Sequence, residues 1–203
     1  MRYIIESPKK INIGDKTRLT ARVNFDGEET ELFYETNIEY QDSFVVERCD
    51  AFLVSILPKA MMAARDTDDI EIICKAPVSQ RLYHQIVNQY IPILCQAISY
   101  YRPIKILAST AQELLPMGNA VGTGVSGGVD SSYTIAKYTN VTEGSYKLTH
   151  GVFFNIGIYG GFESESEKHL EEEAKTIADE VGIEYLCVKS NICKELYGKA
   201  HAP

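Results

Sequence analysis

Hydrophobic and polar residues alternate from Leu19 to Phe25, which puts Leu19, Ala21, Val23 and Phe25 on one face of a strand. Asp26-Gly27 follows, a pair that accepts the positive φ angles of a tight turn, and Thr30 to Glu35 supplies a return arm. The segment predicts a β-hairpin. From Ala51 to about Arg65 the period becomes helical, with Phe52, Leu53, Ile56, Leu57, Ala60 and Met61 on the apolar face. Asp50 is the expected N-cap and Pro58 the expected bend. Glu71 to Cys74 reads as a short buried strand. Ser79 opens a second helical pattern through Leu82, Ile86, Tyr90, Ile93, Leu94 and Ile98, with a kink predicted at Pro92. Ile104 to Leu107 reads as another strand. Residues 1–110 therefore form an α+β unit, without a catalytic motif of its own.

Ala111 to Asn119, with Pro116, Gly118 and Asn119, is the predicted linker. Beyond it the pattern changes to strand (120–125), helix (130–138), strand (151–156), helix (164–181) and strand (183–188). Ser164 and Glu167 have the spacing of a capping box, and Gly182 is the expected stop. This alternation predicts an α/β domain over residues 118–203 with a parallel sheet and right-handed crossovers. Three strands make an unfinished sheet. It implies either a longer protein with later strands or a small sheet completed by the N-terminal half.

A net charge of −8 and the lack of a Lys/Arg cluster argue against a broad nucleic-acid surface. The most apolar stretch, Ala51 to Ala64, is shorter than the roughly 20 residues that span a bilayer. The first residues, Met1 to Glu6, lack the apolar run of a secretory signal. Five cysteines, Cys49, Cys74, Cys95, Cys187 and Cys193, form no CxxC pair, which points to a reducing cytoplasm and core packing. A homo-oligomer is compatible with all of this.

The chemistry concentrates in Ser126-Gly127-Gly128-Val129-Asp130-Ser131-Ser132, between the first strand and first helix of the second half. Adjacent glycines let successive N–H groups converge, and the following helix adds unpaired donors and its positive dipole end. The hydroxyls of Ser126, Ser131 and Ser132 add donors without bulk. A phosphate chain is the natural guest. Asp130 has two open readings: a helix cap, or a carboxylate holding Mg2+ that also touches phosphate oxygens. Gly122-x-Gly124-x-x-Gly127 also matches a dinucleotide fingerprint, which would require an acidic residue about 20 positions on. Glu143 has that spacing but lies in a predicted loop, and the strand end offers Asn155. A Gly-Lys-Ser/Thr phosphate loop is absent.

Ser126 to Ser132 resembles the SGGxDS signature of the PP-loop ATP pyrophosphatases, in the adenine nucleotide α-hydrolase-like superfamily. The wider resemblance covers residues 118–203. It implies ATP and Mg2+ as cofactors, cleavage of ATP to AMP and pyrophosphate, and an adenylated intermediate attacked by a nitrogen nucleophile. The substrate would be a small molecule or a group on a carrier protein. By carry-over Ser126, Gly127, Gly128, Val129, Asp130, Ser131 and Ser132 hold the pyrophosphate, with Asp130 as the catalytic and metal-binding residue. The backbone at Phe154, Asn155 and Ile156 occupies the place that contacts adenine in the family. Lys189, after the third strand, is either a phosphate contact of the kind the family often uses or a surface lysine. Two alternatives stay open: a sulfur transferase of the same fold, using Cys187 or Cys193, and a nucleotide-binding module without turnover.

Overall fold

The computed structural model describes residues 1–67, 69–115, 118–141 and 146–198. Its N-terminal strands are β1 (Arg2–Ile5), β2 (Lys9–Ile13), β3 (Lys16–Phe25) and β4 (Glu28–Asn37). β3 and β4 form the predicted hairpin, with Phe25 opposite Glu28. Asp26 (φ 55°) and Gly27 (φ 106°) make the two-residue turn with both φ angles positive, the geometry that follows the natural strand twist. After a 3-10 turn (Ile38–Ser43) comes α1 (Asp50–Ala63), then β5 (Glu71–Cys74) and β6 (Val78–Ser79). α2 (Gln80–Gln85) runs through a π-helical turn (Ile86–Tyr90) into α3 (Ile91–Ala97). Pro92 has no N–H to return to the preceding turn, so the widened turn falls where a kink is predicted. β7 (Lys105–Leu107) and β8 (Thr110–Ala111) complete this half.

The second half contains β9 (Gly122–Gly124), α4 (Val129–Thr139), β10 (His150–Asn155), α5 (Glu165–Val181), β11 (Glu184–Ser190) and α6 (Ile192–Tyr197). The order of elements agrees with the sequence pattern. Pro116 of the predicted linker, Glu143 and the C-terminal Ala202-Pro203 lie outside the described residues.

The protein is α/β. The three strands of its second half are parallel, as the sequence predicts, but they belong to a larger sheet that is mixed. Nine strands run in the order β7-β5-β1-β3-β4-β11-β10-β9, with β2 alongside β3. β7, β5 and β1 are parallel, as are β11, β10 and β9. The antiparallel hairpin β3–β4 joins these two blocks, because β4 lies antiparallel to the outer edge of β11. The strands of the second half are thus continued by the N-terminal half.

That junction has only a short ladder, Lys189 opposite Glu35 and Ser190 opposite Tyr34. Side chains extend it. The Asn191 amide accepts from Phe33 N–H (2.9 Å) and donates to the Glu31 carbonyl (2.8 Å). Ser190 Oγ donates to the Phe33 carbonyl, and Thr36 Oγ1 donates to the Cys187 carbonyl.

Two apolar clusters lie on this sheet. The first buries Phe52, Leu53, Ile56, Leu57 and Met61 of α1 against Ile5, Val23, Leu32 and Ile72, and it includes Leu196 of α6. Each such side chain contributes about 1.5–3 kcal/mol. The helix continues through Pro58. Asp50 is the first helical residue rather than the cap: Cys49 holds the cap position, and the Asp50 carboxylate accepts from Ser79 N–H (2.8 Å) and Ser79 Oγ–H. The second cluster joins Val125, Ile135, Leu148, Phe153 and Ala174. Gly151 is required there, since a Cβ would sit 2.8 Å from Val125 Cγ2 and 3.4 Å from Ala178.

Two stability changes are expected. Gly151→Val overpacks the contact between α5 and β10 and should cost about 1–3 kcal/mol. Asn191→Ala should cost a similar amount, about 1–3 kcal/mol, by leaving the Phe33 N–H and Glu31 carbonyl without their partner. Thermal melts measure both. Amide hydrogen exchange at Phe33 should accelerate in Asn191→Ala and stay unchanged in Gly151→Val.

Candidate functional site

β9 is short, runs parallel to β10 and ends at Gly124. Val125 is buried and donates its N–H to the Val152 carbonyl (2.9 Å), so the strand stays anchored until the loop begins. Gly127 then takes φ 68°, a conformation costly for any residue with a Cβ, and turns the chain toward α4. Gly128 is the N-cap, in extended conformation (φ −78°, ψ 165°), and no side chain caps the helix. The first turn of α4 therefore leaves N–H donors available, with the positive end of the helix dipole behind them.

The hydroxyls arrange themselves around this turn. Ser126 Oγ donates to Ser131 Oγ (3.2 Å), and Ser131 Oγ donates to the Gly128 carbonyl (3.0 Å). Ser126, Gly127, Gly128, Asp130 and Ser132 are exposed, and Ser131 is half-buried. The Val129 side chain is 85% exposed, so only its backbone can serve a guest. The Asp130 carboxylate makes no hydrogen bond or ion pair among the described residues. Asp130 sits in the first turn of α4 without capping it by a side-chain bond.

A cleft of about 310 Å³ opens beside the loop, lined by Gly124 to Gly127, Val152 to Phe154, Tyr159, Leu170, Glu173 and Ala174. Loop and strand end thus meet at one place. Register between β9 and β10 stops at Val152, while β10 continues to Asn155. The Val152 carbonyl points toward β9, and strand alternation turns the Phe154 N–H and carbonyl the same way, beyond the end of β9. The Phe154 ring is exposed. Asn155 is fully buried and structural: its Nδ2 donates to the Phe162 carbonyl (3.2 Å) and its Oδ1 accepts from Gly157 N–H (3.2 Å). A shallower recess shares Ser126 and Gly127 and is walled by His169, Glu172, Glu173 and Thr176 of α5. Among the described residues no Lys or Arg lines either space.

Glu167 has the spacing of a capping box, and half of that box forms. Ser164 Oγ accepts from Glu167 N–H (3.2 Å), and Gly182 closes the helix in the left-handed conformation (φ 70°). The Glu167 carboxylate is buried and accepts from Tyr159 N–H (3.1 Å) instead of reaching back to Ser164. It holds the loop that carries Tyr159 over the cleft. Sequence reasoning did not find Tyr159, Leu170 or Glu173 as lining residues. The run Gly157, Gly160, Gly161 after the strand was the available signal for a shaped loop there.

Lys189 and Cys187 lie elsewhere. They line a separate groove of about 330 Å³ with Lys16, Glu35 and Glu171, none of which belongs to the glycine loop or its cleft. Lys189 is bonded to Glu163 (3.1 Å). Burial acts to lower its pKa, but the Glu163 hydrogen bond and charge outweigh this and hold the ammonium charged. Burial, followed by the charge of Glu171, pushes the Cys187 thiol up to about 12. A thiol so disposed is a poor nucleophile at neutral pH. Among the described residues no group of three or more His, Cys, Asp or Glu is placed to hold a metal ion, and no helix is long and apolar enough to cross a membrane.

The fold and site define an α/β protein with an open glycine–serine loop between a parallel strand and a helix. A scan against protein-family models, a search of curated proteins and a search of solved structures each found no match.

Three outcomes are expected here. Gly128→Val should leave the fold intact, because its φ and ψ suit any residue and the new Cβ would meet only Ser126 Oγ at 3.5 Å. Gly127→Val should lower the melting temperature, since positive φ costs a β-branched residue about 1–3 kcal/mol. Iodoacetamide at neutral pH should leave Cys187 unlabelled in the folded protein. Peptide mapping by mass spectrometry reads that out.

Proposed function

We propose that the chain binds ATP with its pyrophosphate on the loop Ser126 to Ser132, as a PP-loop ATP pyrophosphatase of the adenine nucleotide α-hydrolase type. The observation that carries this reading is the uncapped start of α4 beside the cleft where β10 outruns β9. The loop offers amides and hydroxyls to phosphate, and the Phe154 backbone offers a donor and an acceptor to a base. In that pose the open strand end receives adenine and the glycine turn receives the leaving group.

The reaction follows from the resemblance. An acceptor oxygen attacks the α-phosphorus, the bond to the bridging oxygen of the β-phosphate breaks, and pyrophosphate leaves with that electron pair. Charge grows on the pyrophosphate, where fixed N–H donors stabilise it without reorganising. A nitrogen nucleophile then displaces AMP from the activated acceptor. The residues fit Mg2+ in the way ATP enzymes use it, through one or two carboxylates with phosphate oxygens supplying the rest. Asp130, exposed and unpartnered at the loop, is the residue to hold it. The ion would offset the repulsion between Asp130, Glu173 and the phosphates.

A second reading, nucleotide binding without turnover, is favoured by the lining of both spaces, which among the described residues contains no Lys or Arg. The sulfur-transfer alternative is weakened by Cys187, whose thiol is both raised in pKa and placed in another groove.

Calorimetric titration with ATP and Mg2+ should give saturable binding that Gly128→Val abolishes while its melting temperature holds. NAD binding with no ATP response would sink the reading. With acceptor present, pyrophosphate and AMP are the expected products, and ADP with orthophosphate would exclude this cleavage. Asp130→Asn should lower turnover by about tenfold or more with a smaller change in ATP affinity, because it removes stabilisation specific to the transition state. Saturable ATP binding with no product from any acceptor would establish the second reading.

A further inference from the structure

Another cavity, of about 300 Å³, lies between the hairpin, β11 and the start of α1, and shares no lining residue with the cleft at the glycine loop. Its walls are largely apolar, with Leu19 and Tyr34 from the hairpin, Val188 from β11 and Phe44 from the segment before α1. Two charged side chains interrupt them, Arg48 and Asp50.

Arg48 is the one buried cation among the described residues, 8% exposed. Its Nη1 donates to Ser79 Oγ (2.7 Å) and its Nη2 to the Glu113 carbonyl. It forms no ion pair with a carboxylate among the described residues. A guanidinium carries five donors, so N–H groups remain for a guest. Ser79 Oγ in turn donates to Asp50, whose carboxylate also takes the Ser79 N–H. One hydroxyl therefore separates a buried positive group from a negative one, and both line the same apolar space. Burying an ion without a directly paired counter-ion is costly, and a guest that supplies the missing charge recovers that cost.

We propose that this cavity binds an α-amino acid with an apolar side chain. The guest carboxylate pairs with Arg48, its ammonium pairs with Asp50, and its side chain packs on Leu19, Tyr34, Phe44 and Val188. A zwitterion matches both charges at the spacing that the Ser79 bridge sets. A simple carboxylic acid would leave Asp50 facing a second negative group, and an amine would leave Arg48 without a counter-ion. The cavity is at the lower end of the volume range of small-molecule sites, which suits a guest of this size.

The test is calorimetric titration of the full chain without nucleotide, so that its result is independent of ATP binding. The probes are L-leucine, 4-methylpentanoate (leucine without its amine) and 3-methylbutylamine (leucine without its carboxylate). L-leucine should bind saturably, and each single-charge analogue should bind at least about tenfold more weakly, as expected for loss of one desolvated charge pair. Val188→Phe, which fills the cavity with an apolar group, should abolish binding while the melting temperature is retained. Arg48→Lys should weaken L-leucine by about tenfold, because the fork of donors is lost. Equal binding of the acid or the amine, retention of binding in Val188→Phe, or no L-leucine binding at millimolar concentration would each overturn the proposal.

Discussion

The hydrogen-bonded junction between β4 and β11 is the constraint on which the molecule rests. Two parallel blocks of strands lie on either side of it, each with its own apolar cluster. The ladder there is only two residue pairs long, too little to fix a register alone. Asn191, Ser190 and Thr36 fix it by bonding side chains to the backbone across the gap. α6 follows directly and places Leu196 in the N-terminal core, so polar bonds set the alignment and apolar burial locks it. The cavity containing Arg48 is a by-product of the same join, since it is walled by the hairpin on one side and Val188 of β11 on the other.

The glycine loop depends on that arrangement indirectly. β11 supports β10, and β10 supports the short strand β9 from which the loop springs. Val125 and Gly151 meet at the base, where the absence of a Cβ on Gly151 allows the two to approach. A rigid base with an open rim suits a site whose guest brings most of its own charge. The carboxylates of α5 make the rim acidic, so phosphate could bind there only through aligned amides and a shared cation.

Features encoded by neighbours in the chain were legible in the sequence. Asp26-Gly27 announced the hairpin because two positive φ angles leave few residue choices. Gly182 announced the end of α5 for the same reason, and Ser126 to Ser132 marked a strand–loop–helix junction. Features that require distant partners were not. Nothing local to Glu35 or Lys189 says that these residues pair, so the join of the two halves stood only as one of two alternatives and its antiparallel sense was not legible. β1 was missed because Ile4 breaks the polar–apolar alternation around Tyr3 and Ile5, and four residues carry too little periodicity to separate from a loop. β2 is exposed at every position, and Ile11 and Ile13 are too few to mark a strand among its polar residues. Asp50 and Glu167 were read as helix-start residues. Both do sit in a first turn, but each turns its carboxylate to a different element, Ser79 and Tyr159 respectively.

The strand order has a further consequence, for how copies of this protein meet one another. A long flat sheet edge is a template for intermolecular pairing and aggregation. Here the hairpin pairs with the C-terminal end of the outer side of β11, the longest strand of its block, and leaves no uninterrupted edge there. The strands at the two ends of the order, β7 and β9, are three residues each, and β9 contains two glycines. β2 is longer but begins with Lys9 and Lys10, whose charges repel a like strand laid beside them. A nine-stranded sheet thus offers a passing copy little to zip onto, and crowded solutions of the chain gain protection from fibrous self-association through its topology.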